Sequence, residues 1–172
     1  MKKFLALLIG YTGLLGVDAH AETVTSGSKY PVVLSVFKGD SNCKPDSNEL
    51  NNIANNAAQT YKRTKGNIWS AFGQALNSAV HGSGCEQIGK SIVLYSNKTV
   101  NLPVGSIVLA YKDPGIALKE NNKFVNPLPA LCQVMAGASI VLETRKSEGL
   151  RGIIGIAGDG GLKCTFKKGS VN

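Results

Sequence analysis

The chain has 172 residues, of which 43% are hydrophobic, and its 19 Lys and Arg outnumber its 11 Asp and Glu to give a net charge of +8. The length suits one domain with a core of its own. The basic residues form no block of five or six and are not interleaved with aromatic residues, so nucleic acid is not indicated as a partner.

The first 21 residues have the features of a secretory signal peptide. Lys2 and Lys3 precede an apolar stretch at 4–17, and Ala19-His20-Ala21 is a small-x-small cleavage site. As a helix the apolar stretch spans about 21 Å, which is too short for a hydrocarbon core of ~30 Å. We therefore expect cleavage after Ala21, a periplasmic or secreted protein, and no transmembrane segment after cleavage.

The rest of the chain begins with a polar segment and an apolar run. Residues 22–29 are mostly polar, which predicts a flexible N-terminal segment. Residues 30–172 contain no internal linker and are expected to form a single α+β domain. The run at 30–38 (YPVVLSVFK) is rich in β-branched residues and predicts a strand.

Two helices are predicted after this strand. Asp46 or Ser47 caps the first, whose apolar positions follow one helix face from Leu50 to Tyr61, and Gly66 ends it. Asn67 is suited to cap the second, which ends at Gly82 and whose apolar face consists of Ile68, Trp69, Phe72, Ala75, Leu76, Ala79 and Val80. Because the connection is short, the two helices are expected to fold back as an antiparallel hairpin.

Four cysteines follow the leader, and an even count in an exported protein predicts two disulfides. Their wide spacing is unlike the close ligand pairs of a zinc site, and His81 is the only histidine after the leader, so we expect no metal. Cys43 precedes the first helix and Cys85 follows the second, which places both at the base of the hairpin. This geometry favours Cys43–Cys85 and leaves Cys132–Cys164 by elimination.

Beyond the hairpin the pattern changes to short strands. β-branched runs separated by turn residues occur at 91–96, 99–102, 106–112, 139–146, 150–157 and 162–167. They predict a mostly antiparallel sheet or small partly open barrel on which the disulfide-clasped hairpin packs, an α+β fold. Segments 103–105 and 112–115 are typical of turns. Residues 126–137 (NPLPALCQVMAG) are compatible with a short helix or an edge strand, and we favour the helix.

Two glycine-containing segments need separate interpretation. Residues 84–91 (GCEQIGKS) match the phosphate-binding pattern G-x-x-x-x-G-K-[ST], but a working loop follows a strand and opens a helix. Here a predicted helix precedes the motif and a strand follows it, so we expect no nucleotide and no other cofactor. The tract at 152–161 (GIIGIAGDGG) suits a strand that another backbone approaches closely, which raises the hypothesis of β-augmentation.

Candidate catalytic residues are few. His81 is interpreted as a helix-end histidine near the negative end of the helix dipole rather than as a base. A carboxylate pair for glycan cleavage is conceivable from Glu86, Asp113, Glu120, Glu143 and Asp159, although such groups are more often at the surface. No catalytic site is therefore assigned, and whether the protein is an enzyme stays open.

These features favour an exported, non-enzymatic binding or assembly protein of the bacterial envelope, as an accessory of a secretion, conjugation or surface-structure system. Its expected partner is another envelope or host protein, with an anionic envelope polymer as a further partner that positive charge attracts. The expected contacts to such a partner are Lys62, Arg63, Lys65, Lys163, Lys167 and Lys168. The alternative is a secreted hydrolase or toxin acting on cell wall or another anionic polymer, with Glu86, His81 or Asp159 in its site.

Overall fold

The computed structural model describes residues 21–121, 125–145 and 160–168. Its elements, in chain order, are β1 (Ala21–Ser26), β2 (Val32–Phe37), α1 (Ser47–Thr64), α2 (Trp69–Gly82), β3 (Ile92–Leu94), β4 (Thr99–Pro103), β5 (Ile107–Lys112), α3 (Pro114–Asn121), β6 (Ala130–Gln133), β7 (Ala138–Thr144) and β8 (Leu162–Lys168). The chain therefore has the α+β fold that its sequence predicts. Residues 1–20 of the predicted signal peptide and the strand predicted at 150–157 lie outside the described residues.

The strands of the described residues form two four-stranded sheets. Sheet A has the order β4-β1-β7-β8, and sheet B has the order β3-β2-β5-β6. Neighbouring strands are antiparallel except for β1 and β7, which run parallel. The mostly antiparallel sheet predicted from the sequence is thus divided into two.

The N-terminal segment differs from the sequence-based expectation. The prediction of a flexible segment at 22–29 is wrong for residues 22–26, because they belong to β1 in the interior of sheet A. Val24 is fully buried and lies between Val100 of β4 and Ile140 of β7. Strand alternation turns the polar neighbours Thr23 and Thr25 to the other face, so a segment of polar composition still supplies a core residue.

Sheets A and B face each other over a common apolar core. Sheet A contributes Val24, Leu102, Ile140, Leu142 and Leu162, and sheet B contributes Val32, Leu34, Val36, Leu94, Val108 and Ala110. Every second residue of each central strand enters this core, as the two-residue period of a strand requires. The disulfide Cys132–Cys164 joins β6 of sheet B to β8 of sheet A, so it links the two layers covalently.

The helical hairpin covers the outer face of sheet B. Its buried side chains are Leu50 and Ala54 of α1 and Trp69, Phe72, Leu76 and Val80 of α2, which pack with Phe37, Leu109 and Tyr111 of the sheet. Both helices therefore bury the faces that the three- and four-residue spacing predicts. The disulfide Cys43–Cys85 closes the base of the hairpin, and the two disulfides have the pairing that the hairpin geometry favours.

One predicted helix cap is present and two helix ends differ. Asp46 caps α1, with its Oδ1 accepting the Asn48 N–H at 2.7 Å. The chain leaves α1 through Lys65, whose φ of 53° is left-handed, rather than through Gly66. Ile68 rather than Asn67 occupies the N-cap of α2 and makes no side-chain cap. Tertiary packing of the hairpin therefore fixes these ends more strongly than the local capping signals.

Two further local predictions are corrected. Residues 126–137 contain strand β6 rather than the favoured helix, and β6 pairs with β5 at the edge of sheet B. The turn predicted at 112–115 is the start of α3, where Asp113 Oδ1 accepts the N–H groups of Gly115 at 2.6 Å and Ile116 at 3.1 Å. An Asp-Pro pair suits a helix start as well as a turn, because proline takes the first helical position without loss of a hydrogen bond.

Tyr111 lies between sheet B and α2. Its ring meets that of Phe72 edge-on, with centroids 5.1 Å apart, and its Oη would lie 2.5 Å from a Cβ added to Gly73. Burial, together with the nearby Asp113 carboxylate, raises the pKa of Tyr111 above the ordinary value of 10.0.

This raised pKa predicts a loss of stability in alkali. Above about pH 10 the unfolded chain releases the phenolic proton while the folded protein still holds it, so stability falls as pH rises through this range. We expect the free energy of unfolding, measured by urea denaturation, to fall more steeply between about pH 9 and 11 in the wild type than in Tyr111→Phe. Parallel curves for the two proteins would contradict the prediction.

Candidate binding surface

The connection from α2 to β3 runs along the side of β2 on which β3 also pairs. Lys38 donates its backbone N–H to the Glu86 carbonyl at 2.8 Å, and Ile88 donates its N–H to the Val36 carbonyl at 2.7 Å. The disulfide at Cys85 fixes the start of this connection. Residues 86–88 therefore continue the line of β3 along the same edge of sheet B.

The glycines of the GCEQIGKS segment have structural roles in this connection. Gly84 has a φ of 80°, and a Cβ there would meet the Asn42 carbonyl oxygen at 2.5 Å. Gly89 has a φ of 69°. Both positions favour glycine, because a side chain strains a left-handed backbone. The order in the structure is helix, loop and strand, as the sequence predicts and unlike a phosphate-binding loop.

Residues 88–98, which we call the edge segment, expose four large apolar side chains. Ile88, Ile92, Val93 and Tyr95 are 38%, 39%, 42% and 51% exposed. Ile92 and Val93 belong to β3, which is the last strand of sheet B on this side. We call these four residues the apolar cluster. Because Ile92 and Val93 are neighbours in a strand, the cluster covers both faces of the edge, whereas scattered single apolar side chains are normal at a protein surface.

A polar cluster anchors the beginning of β3. Ser91 Oγ accepts hydrogen bonds from Asn77 Nδ2 at 3.4 Å and Gln87 Nε2 at 3.3 Å. Ser91 Oγ and Ser35 Oγ also share a hydrogen bond at 2.7 Å. Ser35 lies within β2 and Asn77 within α2, so this cluster ties the edge strand to both the sheet and the helical hairpin.

The hydrogen-bonding direction of β3 follows from that of β2. Val36 and Lys38 form backbone hydrogen bonds with residues 86–88, which lie on the β3 side of β2. Since backbone groups alternate in direction along a strand, the N–H and C=O groups of the other even-numbered β2 residues also point to this side. Ile92 and Leu94 pair with the even-numbered residues Leu34 and Val32, so their backbone groups face β2. The intervening Val93 then directs its N–H and C=O away from the sheet. No strand of the described residues pairs with this side of β3.

The edge segment is also positively charged. Lys90 and Lys98 are exposed, and residues 88–98 include no Asp or Glu. The nearest acidic residue in sequence is Glu86, whose Oε2 accepts a hydrogen bond from Lys38 Nζ at 2.6 Å. The edge of sheet B therefore combines exposed apolar side chains, outward backbone groups and two lysines.

An open pocket of 240 Å³ adjoins this edge. It is lined by residues 38–40, by Ile88 and by residues 103–106 of the β4–β5 turn. Gly39 and Gly105 touch there, since a Cβ added to Gly39 would overlap the Gly105 carbonyl. The exposed side chains of Ile88 and Val104 give the pocket an apolar wall, while Lys38 and Asp40 are charged.

Five of the six basic residues predicted as contacts form two separate groups, and the sixth, Lys168, is exposed at the end of β8. Lys62, Arg63 and Lys65 are exposed at the end of α1, on the helical side of sheet B. Lys163 and Lys167 lie on the outer face of sheet A, whereas Ile140 and Leu142 of the neighbouring strand point from its inner face into the core. Lys163 Nζ is 3.6 Å from Glu143 Oε2. Because the two groups lie on opposite outer layers, they do not form one continuous patch.

The candidate acidic groups of a hydrolase have other partners. Glu86 forms the exposed ion pair with Lys38, Asp113 caps α3, and Glu143 accepts a hydrogen bond from Thr165 Oγ1 at 2.9 Å. Asp159 lies outside the described residues, and the side chain of Glu120 is not described either. Each of these three described carboxylates therefore has a partner other than a second carboxylate.

His81 lies in the last turn of α2, as the helix-end interpretation requires. It is exposed, and its ring meets Phe37 edge-on with centroids 5.7 Å apart. Within the described ranges, His, Cys, Asp and Glu side chains do not gather in a group of three or more that would hold a metal ion. None of the helices at 21–121 and 125–145 is long and apolar enough to cross a membrane.

No protein-family model, curated protein or solved structure shows significant similarity to this chain. The candidate surface therefore rests on the geometry of the chain itself.

Proposed function

We propose that the protein is an exported, non-enzymatic binding protein of the bacterial envelope that attaches to another envelope or host protein. In this role it serves as an accessory of a secretion, conjugation or surface-structure assembly. The observation that carries the proposal is the cluster of exposed apolar side chains on the edge segment, since such clusters mark sites of protein interaction. Two disulfides fit an oxidising, exported location.

The basic residues act separately in this proposal. The net charge of +8 attracts an anionic partner or envelope polymer over long range and accelerates encounter. A single flat partner surface does not contact both groups at once, because one group (Lys62, Arg63 and Lys65) lies on the helical layer and the other (Lys163 and Lys167) on sheet A. They contribute to the rate of approach, and the edge segment supplies the stable contact.

The test is affinity capture from the native envelope followed by mass spectrometry. We expect Ile92→Asp with Tyr95→Asp to lose the partner that the wild type captures, because two charges in the apolar cluster prevent its desolvation. The matched control is Thr99→Asp with Asn101→Asp, which adds the same charges to exposed positions on β4 and is expected to retain the partner. Equal capture by all three proteins would reject the edge segment as the binding surface.

A second arm of the experiment addresses the hydrolase alternative. We expect no turnover of purified peptidoglycan by the oxidised wild-type protein. Turnover that Glu86→Gln or His81→Ala abolishes would replace the binding proposal with an enzymatic one. Loss of capture by Lys163→Glu with Lys167→Glu, but not by the edge variants, would move the binding surface to sheet A.

A further inference from the structure

We propose that β3 accepts an additional β-strand from its partner: an extended peptide segment in which apolar residues alternate with polar ones and acidic residues flank the apolar part. This inference rests on the proposed binding function and specifies the chemistry of the partner. Strand addition obtains affinity from main-chain hydrogen bonds and specificity from side-chain contacts at alternate positions.

The backbone of β3 provides the first support. Val93 directs its N–H and C=O away from β2, on the side where no described strand pairs with β3. A peptide lying along this side pairs with those groups, and its side chains alternate between the faces on which Ile92 and Val93 are exposed. The Ser91 cluster holds β3 in place before the peptide arrives, which lowers the entropy lost on binding.

The positive charge of the edge segment favours an acidic peptide over a second copy of the chain. Lys90 precedes β3 by two positions and Lys98 follows it by four, and no acidic residue occurs between 88 and 98. Acidic residues at the ends of the incoming peptide neutralise these lysines. A second copy of the chain brings the same lysines and a net charge of +8, and lysine on an edge strand disfavours such self-pairing.

The adjoining pocket provides a place for an anchoring side chain. Ile88 belongs both to the edge and to the wall of the 240 Å³ pocket, so a peptide that follows the edge past residue 88 reaches it. The apolar contribution of Ile88 and Val104 favours an aliphatic or aromatic side chain there. The inferred peptide therefore carries an apolar anchor near the end that lies beside residues 86–88.

Fluorescence anisotropy with two synthetic peptides tests the inference. In the acidic probe, valine and threonine alternate between pairs of glutamates, and in the basic probe lysines replace the glutamates. We expect the acidic probe to bind the wild type and Val93→Thr alike. Val93→Pro removes the outward N–H, and the loss of this hydrogen-bond donor is expected to weaken binding about tenfold. The variant is expected to fold, because an edge strand tolerates proline. The double variant Lys90→Glu with Lys98→Glu is expected to reverse the preference and bind the basic probe.

Two further measurements keep the test independent of the folding of Val93→Pro. The acidic probe with N-methylated alternate residues, which lacks the hydrogen-bond donors, is expected not to bind. Hydrogen exchange at the Val93 amide is expected to slow when the unmodified probe is bound. Equal binding of the two probes, or no slowing at Val93, would overturn the inference. Self-association in sedimentation experiments that Val93→Pro abolishes would show that a second copy occupies the edge.

The outcomes also separate this inference from the proposed function. If neither probe binds but the edge variant Ile92→Asp with Tyr95→Asp loses the captured partner, the binding function stands and strand addition is wrong. If the probes do not bind and the edge variant captures as the wild type does, both fail.

Discussion

Replacing Cys43 and Cys85 together by serine is expected to lower the free energy of unfolding by about 4 kcal/mol. The two cysteines are separated by 42 positions, and the loop that they close contains both helices of the hairpin. Without the bond the unfolded chain gains the conformational entropy that loop closure denies it. Urea denaturation of the oxidised wild type and of the double variant measures the difference.

The second disulfide provides the control. Cys132 and Cys164 are separated by 32 positions, so the same entropy model predicts nearly the same loss of about 4 kcal/mol for Cys132→Ser with Cys164→Ser. The two variants differ in location, since one bond closes the hairpin and the other joins the two sheets. Hydrogen exchange is therefore expected to accelerate in α1 for the first variant and in β8 for the second. A loss below about 1 kcal/mol for either pair would contradict the entropy argument.

The hairpin was predictable because its information is local. The spacing of Leu50, Ala54 and Ala58 defines one face of α1, and these residues are the buried ones. A short connection forces the helices to lie side by side, which places Cys43 near Cys85. The disulfide pairing therefore follows from helix periodicity and loop length, without knowledge of the sheets.

The arrangement of the strands was not predictable in the same way. The tetrapeptide SIVL occurs at 91–94, 106–109 and 139–142. Ile92 and Val93 in the first copy are exposed, Val108 and Leu109 in the second are fully buried, and the third buries Ile140 and Leu142 between the sheets. Four identical residues thus occupy an edge strand and two interior strands, so neighbours distant in sequence decide their burial.

The candidate surface depends on this non-local information. β3 lies within the strand predicted at 91–96, but its position at the edge is seen only in the strand order β3-β2-β5-β6. β1 was missed for the same reason, since Val24 is paired with Ile140 more than a hundred positions later. The lysines at 90 and 98 were visible in the sequence, although nothing there showed that the strand between them is an open edge.

Phe37→Ala is expected to lower the free energy of unfolding by about 3–5 kcal/mol. Phe37 is fully buried on the helical side of β2, among the side chains that join the hairpin to sheet B. Truncation removes the ring and leaves a cavity whose walls, the sheet and the disulfide-closed hairpin, do not collapse freely. Urea denaturation measures the loss, and His81→Ala is the control because it removes only the exposed partner of the ring contact. We expect that control to cost less than about 1.5 kcal/mol.

Phe37 also connects the core to the edge of sheet B. It forms an isolated β-bridge with Gln87, between the two backbone bonds that hold residues 86–88 against β2. The cavity in Phe37→Ala is therefore expected to accelerate hydrogen exchange at the Ile88 amide more than in β1, which belongs to the other sheet. Uniform acceleration in both sheets would show that the edge segment has no separate dependence on Phe37. A selective effect means that the hairpin, through this one ring, keeps β3 and its neighbouring pocket in the geometry that strand addition requires.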